Sequence, residues 1–208
     1  MSFYEEFSKY EMLQWLEKNC YPFEFKHARA AFKGDVKAAF SLFCALNNDK
    51  RGAVAVAMWR AKVPVEAFRA YLGSAWTHDH QHVIAAAKNR RNLGHMFRYA
   101  AFQLAAELPN AVKVWRGTLG VTVAQARIGY SWTTDRDIAC WFAMRFAAHG
   151  SSPLVLTAQI AKTDISLFTS ERNESEAVLM CSPTTVIADG EVSDWAMGPR
   201  SSRQVCAQ

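Results

Sequence analysis

The sequence predicts an α+β fold: a helical N-terminal half, then a mainly antiparallel β core. Three observations lead there. The first half is rich in Ala and poor in Gly, with Leu, Met, Phe and Trp at helical spacings. After Pro109-Asn110 the pattern shifts to short β-rich runs. Those runs come in the order β, β, α, β, β, β, which points to α+β.

The helical elements follow from apolar spacing. Phe7, Tyr10, Met12, Leu13 and Leu16 fit one helix face, and Ala38, Phe40, Leu42, Phe43 and Leu46 fit another. Asn47-Asn48-Asp49 with Gly52 has turn composition. Residues 54–61 suit helix or strand. Pro64 opens a short helix through Tyr71 and Leu72, and Gly73-Ser74 breaks it. Longer helices are expected over 76–88, with Thr77 as its cap, and over 93–108. The stripe Met96, Phe97, Tyr99, Ala100 and Phe102 is read as a core face against the sheet.

In the second half, 112–115 is expected as a strand ending in Arg116-Gly117, and 129–133 as a second strand or turn. A helix over 135–148 carries Ile138, Trp141, Phe142, Met144 and Phe146, with Arg145 facing solvent or an acid. His149-Gly150-Ser151-Ser152-Pro153 stops it. Strands follow over 154–160 and 176–180, and one more over 184–188. Trp195 is expected over the sheet edge. The organisation is a helical region over 1–109, a β core over 110–197 and a flexible polar tail over 198–208, the first two packing as two domains or one compact unit.

Composition narrows the class. The chain has 208 residues, 50% hydrophobic and 21% charged, which is globular and not disordered. A usable core needs neither disulfide nor metal. No run approaches the about 18 to 20 apolar residues of a membrane span. The start, with acids among its aromatics, lacks the basic and apolar regions of a secretory signal. The five cysteines (Cys20, Cys44, Cys140, Cys181 and Cys206) form no CxxC pair and suit free thiols in a reducing cytoplasm. Residues 1–110 carry 15 basic and 10 acidic side chains, residues 111–208 nine of each. The excess positive charge thus lies in the helical half, densest at Lys88, Arg90, Arg91 and Arg98, and suits a solvated face, a nucleic acid or an acidic protein.

Three segments carry the chemistry. They are Val114-Trp115-Arg116-Gly117; Gly129-Tyr130-Ser131-Trp132-Thr133-Thr134 with Ala139 and Phe142-Ala143 behind it; and Glu171-Arg172-Asn173-Glu174-Ser175-Glu176 before an aliphatic strand. In this order they resemble the Arg–Ser–Glu pattern of mono-ADP-ribosyltransferases of the cholera-toxin-like clan. The interval from Ser131 to Ala139 is also the family's. The resemblance covers residues 111–196 and is closest to phage and prophage-type members, which add a helical N-terminal half. It implies a split, mainly antiparallel core of the ADP-ribosyltransferase type, packed with the helical half.

The resemblance implies a role for each position. Arg116 would anchor the NAD pyrophosphate through bidentate contacts, and Gly117 would let the dinucleotide approach the backbone. Glu176 would hold the ribose 2′-hydroxyl and stabilise the oxocarbenium-like transition state as nicotinamide leaves. Ser131 and Thr133 would support the pocket, with an aromatic face from Tyr130, Trp132 or Phe142. Alternation on an extended strand would put Glu174 and Glu176 on one face, with Glu174 orienting the acceptor and Glu171 as a spare carboxylate. Two positions depart from the pattern: Trp132 where Thr is common, and Ala177 between Glu176 and Val178.

The function so implied is transfer of ADP-ribose from NAD, consumed as a substrate, to a protein arginine or another macromolecule. Nucleic-acid acceptors, NAD hydrolysis and a non-catalytic binding module of the same fold are the alternatives. A cytoplasmic phage effector or toxin, with an antitoxin or inhibitor as possible partner, fits this. No Rossmann fingerprint or P-loop is present. His78, His80 and His82 form a histidine cluster; on a helix only His78 and His82 share a ligand face, and no metal is expected.

Overall fold

The computed structural model describes residues 9–19, 21–147 and 152–195. Phe7, Cys20, His149, Gly150, Ser151, Cys206 and the 198–208 tail lie outside them, as do the side chains of Tyr10 and Met12. The chain forms two compact units, Met1–Phe102 and Gln103–Gln208. The first is helical and the second holds an antiparallel sheet, so the α+β class and the helical N-terminal half are as expected.

The helical unit contains α1 (Lys9–Asn19), α2 (Pro22–Ala31), α3 (Val36–Ala45), α4 (Asn48–Arg60), α5 (Val65–Ala87) and α6 (Arg90–Ala100). Asp35 caps α3 by accepting the Ala38 N–H, and Asn89 caps α6 by accepting that of Asn92. On α3, Ala38, Leu42, Phe43 and Leu46 are buried, whereas Phe40 is exposed.

Several expectations here are corrected. Gly52 lies inside α4, not in a turn. A Cβ there would fall 2.1 Å from the His82 carbonyl oxygen, so glycine lets α4 and α5 touch backbone to backbone. Residues 54–60 are helical. Gly73-Ser74 does not break α5. Thr77 is not a cap either, since its hydroxyl donates back to the Gly73 carbonyl at 3.1 Å. The helix kinks instead at Asp79 (φ −139°, ψ 34°). Helix α6 stops well before 108 because Ala101 turns left-handed (φ 48°). The stripe along α6 meets other helices: Phe97 packs edge-on to Trp76, and the Tyr99 hydroxyl donates to the Val63 carbonyl.

One charged pair sits inside this unit. The Arg51 guanidinium donates to the Asp79 carboxylate at 2.6 Å and to the Phe43 and Leu46 carbonyls, and lies over the Phe43 ring. Asp79 is buried. The pair therefore ties α5 at its kink to α4 and the end of α3.

The second unit runs β1 (Ala111–Leu119), α7 (Val123–Arg127), β2 (Ser131–Thr133), α8 (Arg136–Met144), β3 (Pro153–Ala161), β4 (Ile165–Thr169), β5 (Glu176–Leu179), β6 (Ile187–Ala188) and α9 (Val192–Trp195). The strands join in the order β4-β5-β2-β1-β3-β6, one ladder continuous through all six among the described residues. Strand β4 was not expected, and β6 is shorter than expected. Of the sheet's two faces, one carries Val112, Val114, Trp132, Leu156, Ala158, Ile160, Ala177 and Leu179. The other carries Val155 under Ala139, Cys140 and Ala143 of α8 and Trp195 of α9.

Candidate active site

Strand register decides which motif residues meet. Trp115 of β1 stands opposite Thr133 of β2, and Thr133 opposite Glu176 of β5. Directly opposed residues share a face, so Trp115, Thr133 and Glu176 line up across three adjacent strands. Ser131, opposite Val178, lies on the same face by alternation. Partly buried Trp115 packs against the α8 cluster, which identifies that face as the α8 side.

Arg116 begins on the other face. It is a mid-strand residue, not a strand end, and pairs across with the core residue Leu156. Its guanidinium donates through Nη1 to the Ser131 carbonyl. It also lies against Gly129, where a Cβ would fall 2.1 Å from the Arg116 Cζ. The guanidinium occupies the space that a side chain at Gly129 would take, and Arg116 braces the approach to β2 from behind.

Two further expectations are corrected. A Cβ on Gly117 would fall 1.7 Å from the Ala139 carbonyl oxygen and 2.8 Å from the Ala143 nitrogen. The helix backbone, not a dinucleotide, fills that space, and the Ala139 and Ala143 side chains are small where α8 meets the strand. Trp132 is 2% exposed, sits in the opposite-face core and donates its Nε1–H to the Gly129 carbonyl at 3.2 Å. Its ring is out of reach of a cofactor.

Thr133 works as a clamp. Its buried hydroxyl donates to the Glu174 carbonyl at 2.6 Å and accepts the Asp135 N–H at 3.0 Å. Asp135 in turn caps α8, accepting the Asp137 and Ile138 N–H groups. One side chain thus couples β2, the start of α8 and the segment ahead of β5.

That segment is strained. A 3-10 turn covers Glu171–Asn173, and Arg172 (φ 60°), Asn173 (φ 55°) and Ser175 (φ 45°) all occupy the left-handed region. Such conformations cost roughly 1 to 3 kcal/mol each and gather at functional sites. Glu174 itself is helical (φ −101°, ψ −11°). Extended alternation therefore does not run through 174–176, and the expectation that it sets both glutamates on one face is corrected. Glu174 pairs with Arg172 Nε at 3.6 Å. Both Glu174 and Glu176 are half-buried, whereas Glu171 is exposed.

Arg145, just past α8, is the residue that sequence reasoning undervalued. Its guanidinium lies 4.5 Å from the Phe142 ring centre, 4.9 Å from Phe146 and 5.0 Å from Trp141. Burial against these rings pulls it below the ordinary arginine value; the Glu174 charge opposes that and the Arg172 charge adds to it. Phe142, expected as a cofactor face, is half-buried, edge-on to Trp141 and under this guanidinium. Arg145, Arg172 and Glu174 thus gather with aromatic faces at the mouth of β5. The available signal was Arg145 flanked by aromatics at i−4, i−3 and i+1.

Other candidates resolve structurally. Cys140 is buried, and burial pushes its thiol up, keeping it protonated at neutral pH and unsuited as a nucleophile. His78 packs beside Phe43 with its Nδ1 3.0 Å from the Ser74 carbonyl, and His80 packs beside Trp76. Among the described residues, no cluster of three His, Cys, Asp or Glu side chains could hold a metal, and no helix is long and apolar enough to cross a membrane. Comparison with protein-family models, curated proteins and solved structures finds no match to this chain.

Proposed function

We propose that this protein is an NAD-dependent mono-ADP-ribosyltransferase, moving ADP-ribose from NAD to a macromolecular acceptor, most simply a protein arginine, and releasing nicotinamide. One observation carries the proposal: the register of the adjacent strands β2 and β5 sets Ser131, Thr133 and Glu176 on one face of the sheet. The strained segment before Glu176 supports it further.

In this scheme the Glu176 carboxylate accepts a hydrogen bond from the ribose 2′-hydroxyl of NAD. As the bond from C1′ to nicotinamide breaks, its electron pair leaves with nicotinamide, which becomes neutral. Positive charge grows on the ribose, and the bond to Glu176 strengthens with it. Glu174 accepts hydrogen bonds from the acceptor guanidinium and orients it. The guanidinium nitrogen attacks C1′ and gives up a proton to Glu174 or water. Arg145 supplies a cation for the pyrophosphate on this side, since Arg116 is engaged by the Ser131 carbonyl. The acceptor is then a component of the compartment where the chain resides, a bacterial cytoplasm for a phage effector.

Incubation with adenylate-labelled NAD and a cell lysate tests this, comparing wild type with Glu176→Gln. Wild-type-dependent label removed by protease is the expected result. Removal by nuclease would make nucleic acid the acceptor. Nicotinamide release without label would indicate hydrolysis, and neither release nor label from folded protein would overturn the proposal.

A further inference from the structure

The helical unit carries a surface that the proposed transferase chemistry does not use. Along α2 runs an open groove of about 450 Å³, lined by Pro22, Phe25, Lys26, Arg29, Ala30 and Lys33. Lys26 and Arg29 lie at i and i+3 on one face of α2, and Lys33, in the turn just past its end, lines the same groove. All three are exposed, while Phe25 and Ala30 between them are half-buried and give an apolar floor.

Nothing acidic on α2 offsets these cations. Glu24 is the helix's one acid, and it is turned inward: 1% exposed, accepting the Tyr21 N–H at 2.6 Å and paired with Lys50 at 3.6 Å. Asp35 beyond the helix is engaged as the α3 cap. The groove is therefore uniformly cationic.

At the Pro22 end stand two rings. Tyr21 and Phe23 are near-parallel, 3° apart with centres 5.9 Å apart, and each is 58% exposed. The Glu24 bond to the Tyr21 N–H fixes the turn that presents them. The Lys50 ammonium lies over the Tyr21 ring, 4.7 Å from its centre, which adds a cation beside the pair.

We propose that α2 and the Tyr21–Phe23 pair bind single-stranded nucleic acid, its phosphates along Lys26, Arg29 and Lys33 and its bases on the rings. A cationic track beside exposed aromatic faces is the chemistry of sequence-tolerant single-strand binding. An acidic peptide would answer the cations but leave the ring pair unused. This inference stands apart from the transferase proposal, since it needs neither NAD nor Glu176.

The test is fluorescence anisotropy of the full chain with a labelled single strand of about 12 nucleotides, as RNA and as DNA. The same sequence as duplex and a polyglutamate competitor are run beside it. Single strands of one or both kinds should bind more tightly than duplex, with polyglutamate competing weakly. Changing Lys26, Arg29 and Lys33 together to Ala should weaken binding and flatten the slope of log affinity against log salt by about 2, the value for three phosphate contacts on a single strand. Phe23→Ala should weaken binding about tenfold with little change in that slope. All four side chains are exposed, so the variants should keep the wild-type circular dichroism. No binding at low salt, equal preference for duplex, equal binding of polyglutamate, or binding unaffected by both variants would overturn the proposal.

Discussion

The helical unit and the sheet unit use charge in opposite ways, largely buried in the first and largely exposed in the second. In the helical unit, Arg51 and Asp79 meet at 2.6 Å beneath the surface, and the Arg51 Nε–H is shared between two backbone carbonyls. That arrangement ties side chain to side chain and to backbone at short range. In the sheet unit, Arg145, Arg172 and Glu174 gather around half-buried Trp141 and Phe142, exposed Phe146 and a strained turn, at longer distances. A close, complete pair holds helices together. A looser, more exposed cluster beside backbone strain lies within reach of a ligand. Proximity of opposite charges alone does not mark a site; an exposed cluster beside strain does.

Four substitutions sharpen or break that contrast, from the largest effect to the smallest. Asp79→Ala should cost about 3 to 5 kcal/mol in denaturant unfolding, because it leaves Arg51 buried and uncompensated. A loss below about 1 kcal/mol would mean that water already screens the pair, and the contrast would fail. Glu176→Gln should lower ADP-ribose transfer about 10² to 10³-fold while shifting stability by no more than about 0.5 kcal/mol. A large stability loss with matching activity loss would instead mark Glu176 as a structural residue.

Gly117→Ala separates packing from binding at one position. Contact with the α8 backbone predicts a loss of about 1 to 3 kcal/mol in stability. Unchanged stability with a raised KM for NAD would restore the dinucleotide-approach role. The mildest change is Arg145→Ala, expected to raise the KM for NAD about tenfold through one lost charge-assisted contact, with the melting temperature unmoved. If the melting temperature falls and KM does not change, the rings, not a ligand, are the partner that matters.

Much of the architecture was legible along the chain. The change of pattern near Pro109 and the strands around Val114, Ser131, Leu156 and Val178 are local signals, written in apolar spacing and turn residues. The order of Arg116, Ser131 and Glu176 was legible for the same reason. The misses share a cause as well. Gly52 and Gly73 were read as punctuation because glycine usually is, yet Gly52 serves a helix contact with a residue thirty positions away. Strand β4 escaped notice because Ile165–Thr169 is only five residues long and carries no turn signal of its own ahead of it. Trp132 looked like a ligand face, and only its position in the sheet reveals it as core.

The sequence by itself determined the helical first half and the order of the strands that bear the motifs, because capping, helix propensity and apolar period act within a few residues. The tertiary structure decided which face each motif residue occupies. It put Arg116 against Gly129, aligned Thr133 with Glu176, and brought Arg145 to Glu174. Side chains alternate along a strand, so a shift of one residue in pairing exchanges every face. That register is set by contacts between distant segments, and no local pattern contains it.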